Sequence, residues 1–487
     1  MRYIYLYICL CFCCFTKSQI RFNTNLPIGI DTVADLGTNV LELNTHEYLS
    51  CGTTSGFMIN YNAAYLVKTT AIGNLIWKKQ YDFSINGFDC FYDLIELPDS
   101  NYLLVGTTTN TISNDYDVIL AKIDTAGSLL WQKTFVHPDY DQAAKFKLTS
   151  DGKIIIVGRA ESIGVYNDVL LIKTDLNGNL IWRKRFGNTF DEKYYSIEIL
   201  KNNTEYLLGG DYGYFSSGNP YFDMSLMRTD TAGNIIWQQQ YGISPNESGK
   251  CAIPTLDSGY AICGMYNDTG VVLKTNKFGV VQWIKKFSQE QGTIYSLKQL
   301  QDSSYVMIKS DIDWQNINRT GYLVKADKNG NQLWQRVYPH PTSSISNYFF
   351  GFSTTADKGF IMTGQYNHIG QPYQNMWLVK TDSLGCDSVS CSYVTGVNET
   401  QSGNTGNFLL FPNPNKGSFK IQLKEINYEN LIIVTITNLL GQMVLTQSIN
   451  ISNDIIDIQD EKLLPGVYIV TLIQNNKTIG VSKLIID

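Results

Sequence analysis

Short runs of hydrophobic residues, separated by turn-forming residues, follow one another along most of this chain. In one stretch, residues 91–97 alternate between hydrophobic and polar, and residues 102–107 form a second apolar run after a turn. Residues 118–123 are apolar except for Lys122, which is typical of a strand buried on both faces, and residues 129–135 form a fourth run. The pattern predicts units of about 50 residues, each with four β-strands.

A turn motif, Asp-x-x-Gly-x-x-x-Trp with an aromatic residue four positions after the Trp, follows the third run of each unit. Its glycines recur at intervals of 46 to 55 residues, and such a period indicates a repeat architecture. A seventh copy, Asp382/Gly385, keeps the turn but has Val389 where the Trp would fall. The full copies are Thr70/Gly73/Trp77/Tyr81, Asp124/Gly127/Trp131/Phe135, Asp175/Gly178/Trp182/Phe186, Asp230/Gly233/Trp237/Tyr241, Asn276/Gly279/Trp283/Phe287 and Asp327/Gly330/Trp334/Tyr338.

Seven units of four strands predict an all-β fold, a seven-bladed β-propeller. A linear solenoid is the rival architecture, but it requires atypical capping repeats and these repeats are uniform. The seventh unit lacks its Trp strand. Residues 19–22 resemble the end of a fourth strand, with Phe22 in the place of Tyr81 or Phe186. Residues 19–24 are therefore predicted to close the last blade and to remove the open sheet edges.

The N-terminus has the pattern of a secretory signal peptide, because Arg2 precedes an apolar run and small residues follow it. A membrane anchor is one alternative, although the run is short for a bilayer. A lipoprotein signal at Cys13 or Cys14 is another, although the preceding residues are bulky. We interpret residues 1–18 as the signal peptide, 19–393 as the propeller, and 394–407, rich in Thr, Gly, Asn and Ser, as a linker.

The composition excludes several classes of function. The net charge is −6 and the 38 basic residues are spread evenly, so no nucleic-acid surface is predicted. No transmembrane segment is predicted in the mature chain. The cysteines have no zinc-site spacing and no Ser/His/Asp arrangement is visible, so we predict no catalytic, metal or cofactor site.

Four of the ten cysteines lie in the signal, and the rest permit disulfides in an exported protein. Cys251 and Cys263 flank a turn and are expected opposite each other on adjacent antiparallel strands. Cys386 and Cys391 could close a small loop. The alternative is that several of these cysteines are buried thiols.

Residues 408–487 form a second β-region, whose antiparallel patterning predicts a small β-sandwich. Its most characteristic residues are Pro412, Asn413, Pro414, Gly417, Gly441, Gly466, Tyr468 and Lys483. With these residues the region closely resembles the C-terminal sorting domain of the type IX secretion system of Bacteroidetes bacteria. The resemblance implies export by the signal peptide, recognition by the type IX secretion machinery in the outer membrane, and a location at the outer cell surface or outside the cell.

The repeat is similar to two families of propeller repeat, the quinoprotein type and the sialidase Asp-box, with different gap lengths. In both, the Asp accepts backbone N–H bonds, the Gly takes positive φ and the Trp packs between neighbouring sheets, and we expect these roles here. Such a likeness carries no activity. A Lys or Arg recurs in the third run and is expected near a strand end, with its amine in solvent. These residues are Lys68, Lys122, Lys173, Arg228, Lys274, Lys325 and Lys380.

The segments between second and third strands differ between units, as binding loops do on a rigid scaffold. The longest covers residues 211–223. We predict a ligand-binding face from the aromatic residues of these segments, with glycans or surface proteins as partners, and covering of the propeller top as the alternative role. The residues are Tyr212, Tyr214, Phe215, Tyr221, Trp314, Tyr366, His368 and Tyr373.

The function predicted from the sequence is that of an exported, cell-surface or secreted binding module without enzymatic activity. The alternative is an extracellular polysaccharide-active enzyme, a hydrolase or a lyase. Acidic residues that converge on a central pocket would favour the enzyme.

Overall fold

The computed structural model describes residues 20–25, 33–56, 62–84, 87–110, 115–138, 140–161, 166–187, 190–200, 203–216, 219–242, 247–287, 292–313, 318–338, 344–368, 374–388, 408–413, 415, 417–423, 431–438, 443–449, 455–459, 463–474 and 477–486. These residues contain strands and turns and no helix. The chain divides into two compact units between Gly396 and Val397. The predicted signal peptide, 1–18, and linker, 394–407, lie outside the described residues.

The strands of the first unit, in chain order, are β1 (Phe22–Asn25), β2 (Val33–Glu42), β3 (Tyr48–Gly56), β4 (Asn62–Thr69), β5 (Leu75–Tyr81), β6 (Asp89–Glu96), β7 (Tyr102–Thr109), β8 (Tyr116–Ile123), β9 (Leu129–Phe135), β10 (Tyr140–Leu148), β11 (Ile154–Glu161), β12 (Asn167–Thr174), β13 (Leu180–Phe186), β14 (Glu192–Ile199), β15 (Glu205–Ser216), β16 (Asn219–Asp230), β17 (Ile235–Tyr241), β18 (Glu247–Pro254), β19 (Tyr260–Tyr266), β20 (Thr269–Thr275), β21 (Val281–Lys286), β22 (Gly292–Gln299), β23 (Tyr305–Asp313), β24 (Asn318–Ala326), β25 (Gln332–Val337), β26 (Ser344–Thr354), β27 (Phe360–His368) and β28 (Gln374–Thr381).

Consecutive strands form antiparallel sheets. The four-stranded sheets are β2–β5, β6–β9, β10–β13, β14–β17 and β18–β21. The remaining strands form one eight-stranded sheet with two halves, β22–β25 and β26–β28 with β1, joined where Thr320 pairs with Asn347. The first strand of each sheet or half contacts the first strand of the next, and β26 contacts β2. The first strands therefore surround a common axis, which is the architecture of a β-propeller.

The hydrophobic core lies between adjacent sheets. Second and third strands are buried on both faces, as the continuous apolar runs predicted. One core cluster packs Leu103 and Leu120, from one sheet, against Phe146 and Ile156, from the next. Each sheet thus buries its inner strands against two neighbours, whereas its outer strand stays partly exposed.

The N-terminal strand β1 pairs antiparallel with β28 and completes the last half-sheet. The alignment of Phe22 with Tyr81 or Phe186 was wrong. Phe22 lies opposite Lys380, and this is the register of Trp182, which lies opposite Lys173. The register follows from side-chain bonds at the strand: Trp377 Nε1 donates to Asn23 Oδ1 at 2.8 Å, and Arg21 forms a 2.6 Å ion pair with Asp382.

The repeated turn motif fixes the hairpin between third and fourth strands. Asp175 Oδ1 accepts the backbone N–H groups of Asn177 and Asn179 at 2.9 and 2.8 Å, and Gly178 has a φ of 77°. A side chain at Gly178 would be strained in this conformation, and its Cβ would also stand 3.1 Å from the Trp131 ring of the preceding sheet. The turn of one sheet is therefore the docking point for the Trp of the sheet before it.

The repeated Trp is half-buried on the outer strand of its sheet, where it packs against the neighbouring sheet as the sequence predicted. Its ring covers the turn glycine of the next sheet, so that a Cβ on Gly233 would be 2.8 Å from Trp182 Cη2. The aromatic residue four positions later adds a hydrogen bond in several sheets: Tyr81 OH donates to the Gly127 carbonyl at 2.8 Å. The motif therefore fastens neighbouring sheets at their outer edges.

Trp182→Ala is expected to lower the free energy of unfolding by about 2–3 kcal/mol, because roughly half of a large aromatic surface loses its cover. Chemical denaturation of the variant measures this loss. Leu180→Ala is the control, because Leu180 lies on the same strand and is 55% exposed. Equal stability of the two variants would mean that the Trp does not fasten the sheets.

Four of the seven repeated third-strand cations are buried and not in solvent, contrary to expectation. The Lys68, Lys274 and Lys380 side chains are buried. Each amine forms an ion pair with an acid of the turn that precedes the second strand, as in Lys380 with Asp357 at 2.8 Å and Lys68 with Glu47 at 2.7 Å. Burial of the amine requires such a partner, so each cation ties the third strand to the turn beside it.

Cys251 and Cys263 lie directly opposite each other on β18 and β19, as the sequence predicted, and both are free thiols. Cys51 and Cys90 are also free and buried. Cys386 is disulfide-bonded. Its predicted partner, Cys391, lies outside the described residues.

The second unit has two antiparallel sheets that share one hydrophobic core. The strands are β29 (Phe408–Phe411), β30 (Ser418–Leu423), β31 (Ile432–Asn438), β32 (Met443–Ile449), β33 (Ile455–Gln459), β34 (Gly466–Gln474) and β35 (Lys477–Ile486). One sheet has the order β29–β30–β33 and the other β32–β31–β34–β35. Inward residues such as Phe419 and Ile421 of the first sheet contact Val434 and Leu472 of the second.

Candidate binding cavity on the propeller axis

Each first strand carries a β-bulge at an equivalent position, where one extra residue interrupts its pairing with the second strand. A bulge redirects the extra side chain and is common beside functional sites. All of the extra residues remain partly exposed. We call them the axial ring: Thr38, Tyr92, Ala144, Tyr195, Lys250, Tyr295 and Phe350.

The second strand makes room for the bulge with a glycine. A Cβ on Gly106 would lie 2.0 Å from the Cys90 carbonyl oxygen, and one on Gly158 would lie 2.0 Å from the Gln142 carbonyl oxygen. Gly52, Gly264 and Gly364 are confined in the same way. Each of these glycines lies 14 residues after a member of the axial ring. Gly106, for example, follows Tyr92 by 14 positions.

The axial ring surrounds a cavity of about 400 Å³. Sites for small ligands have volumes of this order. The lining comes from the first strand of every sheet and half-sheet, which places the cavity on the axis. The other lining residues are Leu36, Gln142, Ala143, Lys145, Arg159 and Tyr194.

One side of the cavity combines aromatic rings with cations. Lys250 Nζ lies 4.4 Å from the centre of the Tyr195 ring, which is a cation–π distance. The Tyr195 hydroxyl donates to Asp211 Oδ2 at 3.2 Å, and this bond holds the ring in place. Across the cavity, the rings of Tyr295 and Phe350 meet edge to face at 5.6 Å. The aromatic walls are therefore fixed by contacts of their own.

The cations of the lining have few acidic partners. Arg159 Nε donates to the neutral Gln142 Oε1 at 3.0 Å. Lys145 lies 3.4 Å from Asp93. Among the described residues, neither Arg159 nor Lys250 has a carboxylate within ion-pair distance, and none of the lining residues is acidic. The lining therefore contains three cations and no acid, although Asp93 and Asp211 stand close to Lys145 and Lys250.

The positive charge continues along the axis, three positions further along the first strands. Lys147 pairs with Glu198 at 2.8 Å, and Lys298 Nζ donates to Ser353 Oγ at 3.4 Å. Burial, and then the charge of Lys147, lower the pKa of Lys298 to about 8, and Lys145 adds to the effect. β10 and β22 belong to sheets that are not neighbours, so Lys147 and Lys298 interact across the axis.

Three positions before the bulge, five of the seven first strands carry a buried acid, and two of these acids bind neighbouring segments. Arg183 forms a 2.9 Å ion pair with Asp141, and Asp89 accepts the backbone N–H groups of Phe83 and Ser84 at 2.9 and 3.2 Å. None of these acids lines the cavity. They are Asp35, Asp89, Asp141, Glu192 and Glu247.

Asp35→Asn is expected to stabilise the protein at pH 8 and to have no such effect at pH 4. Burial raises the pKa of Asp35 from its ordinary value of 3.8 to about 7, against smaller opposing effects of Thr54 and Lys78. The folded chain therefore holds a proton that the unfolded chain releases, and stability falls as the pH rises from about 4 to about 7. Melting temperatures of both proteins at the two pH values test this, and an equal difference at both would contradict it.

The described residues of the predicted binding face lie on two different sheets, at the hairpin of β15 and β16 and on β27. The segment 211–223, predicted as a loop, is largely an extended hairpin in which β15 and β16 pair as far as Ser216 and Asn219. Alternating aromatic residues favour strand pairing, and the Tyr214 and Tyr221 rings lie 5.8 Å apart across it. Tyr212, on the same hairpin, is half-buried opposite Glu192 and Asp223.

Tyr366 is a core residue and was wrongly assigned to a ligand face. It is 3% exposed, packs in a buried cluster, and accepts a hydrogen bond from Asn375 Nδ2 at 3.2 Å. Phe215 pairs with Pro220 and His368 with Ser344 along the backbone, and the side chains of Phe215 and His368 lie outside the description. Trp314 and Tyr373 lie outside the described residues.

The sequence analysis missed the axial ring. A bulge leaves only a break in the alternation of its strand, such as Phe91-Tyr92-Asp93, which resembles ordinary variation. The second-strand glycine 14 residues later was the available signal, because a glycine within a strand indicates a bulge or a close backbone approach. One sheet has no such glycine. Lys309 takes its place opposite Ile294, and its amine pairs with Asp311 at 2.8 Å.

In the second unit, the Pro-Asn-Pro-Asn segment is fastened to the last strand. Asn413 Oδ1 accepts the Ile485 N–H at 2.8 Å, and the Asn415 N–H donates to the Ile485 carbonyl at 3.0 Å. Asn415 Oδ1 also accepts the Gly417 N–H at 2.8 Å. Pro412, which is exposed, contributes its carbonyl to Asn415 Nδ2 at 3.2 Å. Asn415, which the sequence analysis did not single out, is therefore central to this turn.

The other predicted sorting residues fall on β34 and β35 or outside the description. Gly466 begins β34, and the Tyr468 hydroxyl donates to the Leu464 carbonyl at 2.8 Å. Lys483 pairs with Ile469 along the backbone. Pro414 and Gly441 lie outside the described residues.

Among the described residues, no cluster of three or more His, Cys, Asp or Glu residues has metal-binding geometry. No helix among them has the length and apolar character needed to cross a membrane.

Residues 409–487 match the family described as a secretion system C-terminal sorting domain. The chain thus carries the sorting domain of type IX secretion cargo, and this domain directs it to the cell surface or the extracellular space. The secretion machinery is accordingly a partner of the chain. A comparison with curated proteins finds no match.

Several solved structures resemble the chain at low identity. The β-propeller domain of the Trilobed protease from Pyrococcus furiosus is 8% identical, with a TM-score of 0.40 over 74% of this chain and 98% of that one. A protein of unknown function from Dyadobacter fermentans is 10% identical, with a TM-score of 0.42 over 74% and 98%. Puromycin hydrolase is 10% identical, with a TM-score of 0.46 over 83% and 62%. Likenesses this distant carry no argument about activity.

Proposed function

We propose that this protein is an exported binding module whose ligand site is the cavity on the propeller axis. The observation that carries the proposal is the axial ring, because each first strand departs from regular pairing to direct one side chain toward the same cavity. A bulge gives up regular strand pairing, and its recurrence around one cavity favours a role beyond folding. The type IX sorting domain supports a function at the cell surface or outside the cell.

The same proposal includes two finer features of the fold. If each half of the eight-stranded sheet is taken as one blade, the propeller has seven blades, and β1 supplies the outer strand of the last. The two sheets of the second unit, which share one core, form a small β-sandwich. A closed ring of blades is the rigid frame that the proposed cavity requires.

The axial cavity is a better candidate than the aromatic hairpin of β15 and β16. Tyr366 is buried, and the hairpin aromatics Tyr214 and Tyr221 mainly contact each other. The cavity instead offers partly exposed aromatic rings, hydroxyls and cations that converge on one volume. Convergent polar groups in an apolar recess are the usual form of a ligand site.

Binding without catalysis is favoured over the polysaccharide-active enzyme. A polysaccharide-active enzyme would need carboxylates at a central pocket, where they act as general acid and base or as nucleophile. The buried acids of the first strands do not line the cavity, and Asp141 among them is paired with Arg183. Glycans or surface proteins remain the partners that we propose.

The exported chain is expected to bind members of a glycan and surface-protein array, and Ala144→Trp to abolish that binding. Ala144 belongs to the axial ring, so a Trp there occupies the cavity whatever the ligand is. Circular dichroism and a melting curve confirm that the variant folds. Leu180→Trp, on an exposed outer strand, is the control. Binding that survives Ala144→Trp in a folded protein would place the site elsewhere.

A further inference from the structure

Resting on the proposed function, we propose that the axial cavity binds an acidic sugar, a pyranose ring that carries a carboxylate. Its carboxylate is held by Lys145, Arg159 and Lys250, and its ring lies on the aromatic members of the axial ring. Three kinds of observation support this class of ligand: the charge of the lining, its hydrogen-bonding groups and its aromatic faces.

The charge of the lining requires an anion. Arg159 and Lys250 have no acidic partner within ion-pair distance among the described residues, and the guanidinium of Arg159 contacts only the neutral Gln142 amide. A guanidinium offers parallel N–H donors that match a carboxylate. The side chains that line the cavity include no acid that would repel the ligand.

The charges beyond the lining also favour an anionic ligand. Lys147 and Lys298 face each other across the axis near Lys145, with Glu198 as a carboxylate in contact with Lys147. Burial and the neighbouring amines make the charged form of Lys298 costly. An anion on the axis would offset this repulsion, which favours a negatively charged ligand.

The remaining lining groups distinguish a sugar from a simple organic acid. Thr38, Tyr92 and Tyr295 carry hydroxyls around the cavity, and the Gln142 amide adds a further polar group. A sugar has hydroxyls to pair with the Tyr295 hydroxyl and the Gln142 amide nitrogen, which an aromatic acid of similar size lacks. The Thr38 hydroxyl already donates to the Phe91 carbonyl at 2.6 Å. Tyr295 and Phe350 supply the ring faces on which the C–H side of a pyranose packs.

Isothermal titration of the full exported chain with a panel of uronate disaccharides tests the proposal, with lactose and glutarate as probes that lack the carboxylate or the ring. At least one uronate disaccharide is expected to bind, and lactose and glutarate at least tenfold more weakly. Arg159→Gln and Lys250→Gln should each weaken uronate binding at least tenfold, and high salt should weaken it further. Lys286→Gln is the matched control, because Lys286 Nζ lies 4.4 Å from the Tyr266 ring but outside the cavity.

The outcomes separate the two proposals. Equal binding of lactose and uronates, no effect of Arg159→Gln and Lys250→Gln, or no binding across the uronate panel overturns the acidic sugar. If Ala144→Trp still abolishes binding of another ligand, the cavity remains the site and only its ligand class was wrong. If a uronate binds equally to wild type and to folded Ala144→Trp, both proposals fail.

Discussion

Deletion of residues 408–487 is expected to abolish the appearance of the protein at the cell surface while the propeller still folds and accumulates in the periplasm. The sheets of the first unit take no strand from the second unit among the described residues. The second unit contains the sorting domain matched at residues 409–487. Immunoblots of surface, periplasmic and medium fractions from a host with the type IX machinery measure the change.

The reciprocal experiment sharpens this result. Residues 394–487, fused with a signal peptide to an unrelated periplasmic protein, should carry that protein across the outer membrane. A fusion with Asn415→Ala, which loses the bonds to Pro412, Gly417 and Ile485, tests whether the fastened turn is part of the signal. Normal surface levels of the truncated chain would require another role for the second unit.

Gly106→Ala is expected to destabilise the first unit by at least about 3 kcal/mol, at the upper end of overpacking effects. The new Cβ would lie 2.0 Å from the Cys90 carbonyl oxygen. Since that atom belongs to the backbone of the bulge, it cannot move as the end of a side chain would. Relief requires the loss of the bulge, which would also withdraw Tyr92 from the cavity. Denaturant unfolding of the variant measures the loss.

Gly270→Ala is the matched control for this substitution. It also adds a methyl group to a glycine within a sheet, but its nearest new neighbour is the Ile294 side chain at 3.1 Å. We expect a loss of less than about 1 kcal/mol, because a side chain can shift by a few tenths of an ångström. Similar losses in the two variants would mean that the bulge carbonyl is not the obstacle.

The repeating elements of this fold were predictable from sequence because their causes are local. The turn of Asp175 and Gly178 depends on a short-range hydrogen bond and a backbone conformation, and both follow from adjacent residue types. The buried strands were recognisable as apolar runs, and the sorting domain was recognisable from its set of characteristic residues. The turn and the strands depend on neighbouring residues, and the sorting domain on the set of characteristic residues from Pro412 to Lys483.

The misassigned residues depend on contacts that no local pattern contains. The register of Phe22 is set by Trp377 and Asp382, more than 350 residues away along the chain. Tyr366 could not be recognised as buried because its cover comes from residues of other strands, such as Trp377 and Phe349. The axial ring is a property of the closed series of sheets, so its members converge only after the ring is complete.

A structure of the exported chain with the ligand that the array identifies tests the central claim most directly. We expect the ligand on the propeller axis, enclosed by the axial ring, with an anionic group in contact with Arg159 and Lys250. A ligand bound instead on the hairpin of β15 and β16, against Tyr214 and Tyr221 and with the axial cavity unoccupied, would contradict the account.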